Sequence, residues 1–493
     1  MENWGLVIYG DDDLFAWDGL GSIIEKSKLA ETICHETAHQ WIGNLATNKS
    51  WDNLWLNEGI SNWIQYKCSQ RLVADPDSKA RYYSEDYQRF LKQDSLVKSL
   101  PVVHNVKTSA EAQNMLNAIT YFKGAAVANM LENLLGTDAL LNGLCVYLSK
   151  FSYRNVDTDD LWESLSESSN LNLKEIFDTW LRFYGTPLVY VSETNDKRVL
   201  VLNQTQFPLK ENADVEENIV WNIPLSISTS LKPEFKYQIM ISRKESIIKL
   251  PLEQPVDENG WYNVNTGFYS MARVKYSDEL FERLLRGVET GNVDIVDRIA
   301  IILDNYEFMR FGVGKTSDIL KIIHAFSGEE SMYVWKLLVD RIYELTDIFY
   351  GTNAIKEMAK TSLGFMCDKD SIAETFRFAL SDKLKIGDGL DILISLAGNF
   401  CSKVYLKDEV ASNIRNLKKI ENSQKFEFFL KVYIGSFSST HEAIGAVNFL
   451  DSHGITFKDK NFREIISSVH DKEKHLYRDT EGVKKYLSDI LEK

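Results

Sequence analysis

The sequence predicts a multidomain α+β protein: a mixed helical segment first, a small β domain in the middle and a helical C-terminal domain. Length is the first reason, since 493 residues exceed what one hydrophobic core usually organises. The second is that the hydrophobic period changes twice along the chain. Up to Gly185 apolar residues recur at helical spacing, most clearly over residues 22–46, 111–135 and 172–184. From Thr186 to Tyr276 the period is two, as in Ile223, Leu225, Ile227, then Tyr237, Ile239, Ile241, then Ile248, Leu250, Leu252. Turn segments such as 194–196 and 257–260 separate these runs, so an antiparallel β domain is expected there. After Tyr276 helical spacing returns, with the sets Ile295, Ile299, Ile302 and Val334, Leu338, Ile342, Leu345. The expected domains are therefore 1–185, 186–276 and 277–493, the last an irregular stack of helix pairs with no fixed repeat period.

Composition narrows the function classes. Hydrophobic residues at 44% and aromatic residues at 12% supply enough core material for a folded protein rather than a disordered one. A net charge of −15 repels polyanions at long range, which argues against nucleic acid as a partner. Five cysteines, far apart and with no CxxC pair, predict free thiols in a reducing compartment, with Cys34 as a core residue. The opening residues lack the pattern of a signal peptide, and no run approaches 18 uninterrupted apolar residues. The expectation is a cytoplasmic chain without a membrane segment.

The chemistry is concentrated in residues 31–58. His35, Glu36 and His39 form HExxH within a helical pattern. Two histidines four residues apart share a helix face and can reach one Zn²⁺, while the glutamate between them is placed to contact a metal-bound water. Such a site needs a third protein ligand, and Glu58 supplies a carboxylate after eighteen intervening residues, at the start of the helical segment 60–72. One histidine alone would be read as a hydrogen-bonded structural residue. The constellation is read as a site for one zinc ion per chain. Cys34 points about 100° away from His35 along the helix and is not assigned as a ligand.

With those residues in place, the chain resembles the zinc aminopeptidase family of aminopeptidase N and the puromycin-sensitive aminopeptidase, whose motifs are GAMEN, HExxH-x18-E and a Y-x-K-G-like segment. Here they read Met1-Glu2-Asn3, then His35, His39 and Glu58, then Tyr121-Phe122-Lys123-Gly124. The resemblance implies a thermolysin-like catalytic domain, a small β-sandwich and a helical C-terminal domain of stacked pairs. It also implies that the chain opens inside the GAMEN motif, without the family's N-terminal β domain. By the same resemblance Glu2 binds the substrate α-amine and Tyr121 donates a hydrogen bond to the oxyanion, with Glu36 as general base. Without it, Glu2 would be read as a solvated carboxylate and Tyr121 as core. The free α-amine of Met1, next to Glu2, is expected to mimic a substrate amine.

The expected activity is zinc-dependent removal of N-terminal residues from peptides. Two other readings use the same residues: an impaired zinc-binding remnant acting as a peptide-binding or scaffold protein, and a zinc epoxide hydrolase-like enzyme.

Overall fold

A computed structural model describes residues 1–10, 14, 23–96, 99–208 and 219–348, and beyond them positions 373, 376–377, 379–380, 393, 400–418, 424–437, 439–455, 465–475 and 478. The helical expectation for residues 349–372 lies outside them. The chain divides into two compact units, Met1–Asn305 with Lys321–Leu337, and Tyr306–Leu320 with Leu338–Lys493.

The first unit begins with α1 (Ile23–Ala38), whose buried residues are Ser27, Ala30, Glu31, Cys34, His35 and Ala38. That is one helical stripe at three- and four-residue spacing, wide enough to hold the neighbours Cys34 and His35 together. Unusually, half of it is polar or charged. The helix is shorter than the periodicity predicts: it ends at Ala38, and Gly43 turns the chain at φ +100° before the short strand β1 (Ala46–Asn48). The next helix, α2 (Trp55–Leu72), starts earlier than expected and buries nearly every residue from Trp55 to Trp63. A helix apolar and buried on most sides is a central one, packed by neighbours all round.

Cys34 and Cys68 are joined in a disulfide between α1 and α2, with Cα atoms 6.0 Å apart. The sequence expectation of free thiols fails at this pair, and with it the argument from cysteines for a reducing compartment. Spacing within the chain, 34 residues, gave no hint of a pairing that helix packing creates.

Beyond α2 come α3 (Ser78–Tyr82), a π-helical turn at Tyr83–Tyr87 and α4 (Gln88–Asp94). Then follow α5 (Ser109–Asn114), a second π-helical turn at Ile119–Lys123, and α6 (Gly124–Leu135). α5 carries a capping box, with Thr108 Oγ1 accepting from the Glu111 N–H and the Glu111 carboxylate accepting from the Thr108 N–H. α6 lies directly on α2 through two glycines. A Cβ placed on Gly59 would stand 2.7 Å from Gly124 Cα, so these backbones touch in a way no side chain allows. α7 (Thr137–Phe151), β2 (Arg154–Val156, parallel to β1), α8 (Thr158–Ser169) and α9 (Leu173–Arg182) complete the helical part.

The β region comprises β3 (Thr186–Glu193), β4 (Val199–Phe207), β5 (Ile223–Thr229), β6 (Lys232–Ile241), β7 (Glu245–Lys249), β8 (Tyr262–Val264) and β9 (Arg273–Tyr276). They form two sheets in the orders β7-β4-β3-β9 and β6-β5-β8. Every pairing is antiparallel except β3 with β9, which is parallel. That pair corrects the purely antiparallel expectation: the chain alternates between the sheets, with β7 and then β9 returning to opposite edges of the first. On β5 the serines that alternate with Leu225 and Ile227 are buried too, where Ser226 Oγ donates to Thr266 O at 2.6 Å and Ser228 Oγ meets Thr266 Oγ1 at 3.0 Å. β7 ends at Lys249, so Leu250 and Leu252 follow the strand rather than belong to it.

After β9 run α10 (Asp278–Glu289), α11 (Ile295–Arg310), α12 (Thr316–Ala325) and α13 (Met332–Ile348). Ile299 and Ile302 of α11, and Val334, Leu338 and Leu345 of α13, are buried as their spacing predicts. In the second unit, α14 (Phe400–Ser412), α15 (Ile414–Lys418), α16 (Gln424–Gly435) and α17 (Thr440–Ser452) share one core. Phe426, Phe429, Leu430, Tyr433 and Ile434 of α16 supply its helical stripe. Among the described residues no helix is long and apolar enough to cross a membrane.

Candidate metal centre

Three elements build the centre. α1 carries His35 and, in the turn that extends it, His39, whose N–H still bonds the His35 carbonyl at 3.2 Å. α2 carries Glu58 in its first turn. The π-helical turn Ile119–Lys123 carries Tyr121.

The two histidines aim Nε2 at each other, 3.0 Å apart, and Glu58 Oε2 lies 3.3 Å from His35 Nε2 and 3.4 Å from His39 Nε2. All three residues are buried, and they are the only group of this kind among the described residues. Tetrahedral zinc, with bonds of about 2.0–2.1 Å, spaces its donors by roughly 3.3–3.4 Å, so the donor triangle fits such an ion. Two imidazoles and a carboxylate are also the donor types a divalent transition metal prefers. The rest of the shell agrees. His39 Nδ1 lies 3.0 Å from the Ile42 carbonyl and 3.3 Å from Ser61 Oγ, and donation to Ile42 leaves the Nε2 lone pair free for a metal.

Charge follows from this packing. Burial alone would raise the Glu58 pKa, but hydrogen bonds and charge from His35 and His39 outweigh it and lower it to about 2. Burial would lower the His39 pKa, but Glu58 outweighs that and raises it. The Tyr121 hydroxyl is pushed upward, first by burial and then by the charge of Glu58 and a hydrogen bond to it, with Glu2 and Glu36 adding to the effect. Tyr121 therefore stays a neutral donor at every physiological pH. Its ring stacks on that of His35, with centroids 6.0 Å apart.

The other sequence-assigned residues come to the same place. Glu36 sits between the two histidines, with Oε2 buried and holding no hydrogen-bond partner. Its nearest cation is the Met1 α-amine at 3.4 Å, so that amine pairs with Glu36. Glu2 is half-buried rather than freely solvated, and its charge raises the pKa of both His39 and Tyr121. The segment carrying it is tied down by Asn44 Nδ2 donating to the Glu2 carbonyl at 2.6 Å and by the Gly5 N–H donating to Gln40 Oε1 at 3.2 Å.

Sequence reasoning missed the supporting residues. Ser61 stands three positions after Glu58 on α2, a spacing that puts both on one face and could have flagged it. Glu31, one turn before His35, accepts a two-pronged interaction from buried Arg81, at 2.5 and 3.3 Å, which anchors α1. Nothing local in the sequence signals that pair, because its partners are 50 residues apart.

An HExxH helix whose metal set is completed by a glutamate on the next helix defines a class of metallopeptidase site. Residues 1–180 match the peptidase family M1 domain, and residues 261–360 match the ERAP1-like C-terminal domain. Relatives include aminopeptidase M1-B of Oryza sativa subsp. japonica, 32% identical over 342 residues covering 68% of this chain and 38% of that protein. The alanine/arginine aminopeptidase of Saccharomyces cerevisiae is 29% identical over 394 residues, 78% of this chain and 44% of that protein. The puromycin-sensitive aminopeptidase of Caenorhabditis elegans is 28% identical over 338 residues, 68% of this chain and 35% of that protein. The chain thus spans well under half the length of these relatives. Residues 1–180 thus carry a peptidase family M1 domain, and these relatives are named aminopeptidases.

Proposed function

We propose that this chain is the catalytic part of a zinc aminopeptidase, with one Zn²⁺ held by His35, His39 and Glu58. The observation that carries the reading is the buried donor triangle, whose edges of 3.0, 3.3 and 3.4 Å suit zinc with three protein ligands, the set that catalytic zinc sites complete with water or substrate. A bound zinc ion supplies Lewis acidity, which polarises a carbonyl and eases deprotonation of water.

The remaining work falls to the side chains. Glu36, whose Oε2 holds no hydrogen bond and faces the Met1 α-amine at 3.4 Å, takes a proton from the attacking water and passes it to the leaving amine. Tyr121 keeps its proton and donates to the oxygen that gains charge at the scissile carbonyl. Glu2, a half-buried carboxylate beside the centre, receives the substrate ammonium. A fixed anion there favours a charged terminus over a neutral mid-chain amide, which confines cleavage to the first residue. The substrates are then peptides with a free N-terminus. In this reading residues 1–185 are a thermolysin-like domain, 186–276 a β-sandwich and 277–493 a helical domain of stacked pairs.

Glu36→Gln tests the assignment. It is expected to retain about one zinc per chain, measured by atomic absorption, while turnover of aminoacyl fluorogenic amides falls on the order of 10²–10⁴-fold. His39→Ala and Glu58→Ala are expected to lose the metal as well. Wild-type turnover by Glu36→Gln would sink the mechanism, and zinc-loaded wild type that hydrolyses no amide would sink the function.

A further inference from the structure

One fully buried cation of the first unit lies outside the metal centre. Lys123 has no exposed side-chain surface, and its Nζ donates to Asp94 Oδ2 at 2.9 Å and to the Gly185 carbonyl at 2.9 Å. The Phe183 carbonyl lies at 3.5 Å. Asp94, also buried, accepts through Oδ1 from the Gly185 N–H at 3.0 Å and from Ser99 Oγ at 3.1 Å. A salt bridge this deep is a poor source of stability, because desolvating both ions offsets most of their attraction. What it fixes is position.

The position concerned is that of Tyr121. Lys123 is the last residue of the five-residue π-helical turn that carries Tyr121. Such a turn holds one residue more than an α-helical turn, aims its side chains differently from the flanking helix, and needs external support to persist. Support exists at both ends. At the entry, Asn117 Oδ1 accepts the N–H groups of Ile119 at 2.8 Å and Thr120 at 3.2 Å. At the exit, Lys123 is anchored to the end of α4 and to the chain just before β3. Tyr121 lies between the two clamps, hydrogen-bonded toward Glu58 and with its ring on that of His35.

We infer that Asp94 and Lys123 form a positioning pair which holds the π-helical turn so that the Tyr121 hydroxyl meets the reacting carbonyl. The inference rests on the proposed aminopeptidase reaction. Neither residue touches substrate. The pair acts through Tyr121 alone, so its removal should resemble removal of the Tyr121 hydroxyl.

The test is a double-mutant cycle on the full, zinc-loaded chain. Asp94→Asn with Lys123→Met removes both charges together and keeps Oδ1 as acceptor for Gly185 and Ser99. The expected result is a fall in kcat on the order of 10²-fold, the size of losing one oxyanion donor. KM should stay within about twofold and zinc per chain should be unchanged. Adding Tyr121→Phe to this variant should cost nothing further, since the hydroxyl is already misplaced. An unchanged kcat, or losses that multiply fully with Tyr121→Phe, would overturn the inference and leave the pair merely structural. If the double variant does not accumulate as folded protein, Lys123→Arg enters the same cycle: its larger head group should shift the turn, lower kcat and again show no additivity with Tyr121→Phe. Wild type without turnover, or Tyr121→Phe at wild-type rate, would instead overturn the proposed function.

Discussion

Gly59→Ala is the most direct test of how the centre is assembled. The new Cβ would lie 2.7 Å from Gly124 Cα and 2.8 Å from Gly124 C, whereas ordinary van der Waals contact begins near 3.4 Å. The obstacle is backbone on a packed helix, so no rotamer change relieves it. α2 and α6 must separate by about 0.7 Å at this point, the difference between those distances. Forcing a methyl group into a packed interior costs typically about 1–3 kcal/mol, and the same is expected here as a lower urea midpoint with unchanged slope. Activity should suffer more than stability. Gly59 follows Glu58, and Gly124 lies three residues after Tyr121, so the strain falls on the spacing between the proposed metal ligand and the proposed oxyanion donor. A misplacement approaching 1 Å can cost on the order of 10²-fold in rate. The assay is kcat on an aminoacyl amide at saturating zinc, beside denaturation of the same sample. Gly59→Ala with a midpoint and kcat both at wild-type values would refute the close-contact reasoning.

Two other perturbations are specific to this chain. Cys34 and Cys68 close a loop of 34 residues, for which the chain-entropy relation gives about 4 kcal/mol of stabilisation. Both cysteines should therefore resist alkylation until reduced, and Cys68→Ser should lower the midpoint by that order; ready labelling of native, unreduced protein at both sites would contradict the pairing. Asp297 is buried against the Gly267 N–H at 2.5 Å, and burial, with a contribution from Asp294, raises its pKa from 3.8 to about 6. A carboxyl with a raised folded pKa binds its proton more tightly in the folded state, so its contribution is present below pH 3.8 and is lost as pH rises through about 6. Across that window it should lower stability by about 3 kcal/mol, and Asp297→Asn should flatten the profile. Equal pH slopes for variant and wild type would refute the assignment.

The centre was legible in the sequence because its ligands obey a short-range rule. His35 and His39 are one helical turn apart, and the proposed third ligand, a carboxylate, had to follow on a later element. The β region was legible for a similar reason, since a period of two survives in the sequence of β5 and β6 even though β5 is buried on both faces. What stayed hidden depends on packing between distant segments. Cys34 meets Cys68 only because α1 lies along α2, and β9 is parallel to β3 only because the chain visits a second sheet in between. The helix carrying His35 stops at Ala38, sooner than its apolar period suggests, and the left-handed Gly43 that turns the chain beyond it is a turn signal the periodicity overrode. Lys123 stood in a recognised motif, but its partner Asp94 lies 29 residues earlier, and nothing at either position signals the other.

These hidden contacts share a location. The disulfide fixes α1 against α2, the paired glycines fix α2 against α6, and the Asp94–Lys123 pair fixes the π-helical turn that leads into α6. The disulfide sets the distance between α1 and α2, the glycines that between α2 and the helix following the π-helical turn, and the ion pair holds that turn against the end of α4 and the chain before β3. None of them ligates or reacts. A site that gathers two imidazoles and a carboxylate in the interior must hold these groups close before any ion offsets their desolvation, and side chains on three separately mobile elements would drift apart. The staples answer that need by different means: a covalent bond, a steric contact and a buried ion pair. Because they act between different elements, their removal should be separable. Loss of the disulfide should weaken zinc retention, which depends on α1 and α2. Loss of the Asp94–Lys123 pair should spare the metal and lower kcat, which depends on Tyr121. Equal effects of both changes on zinc content and on kcat would mean that the three elements move as one body, and the division of labour between them would have to be abandoned.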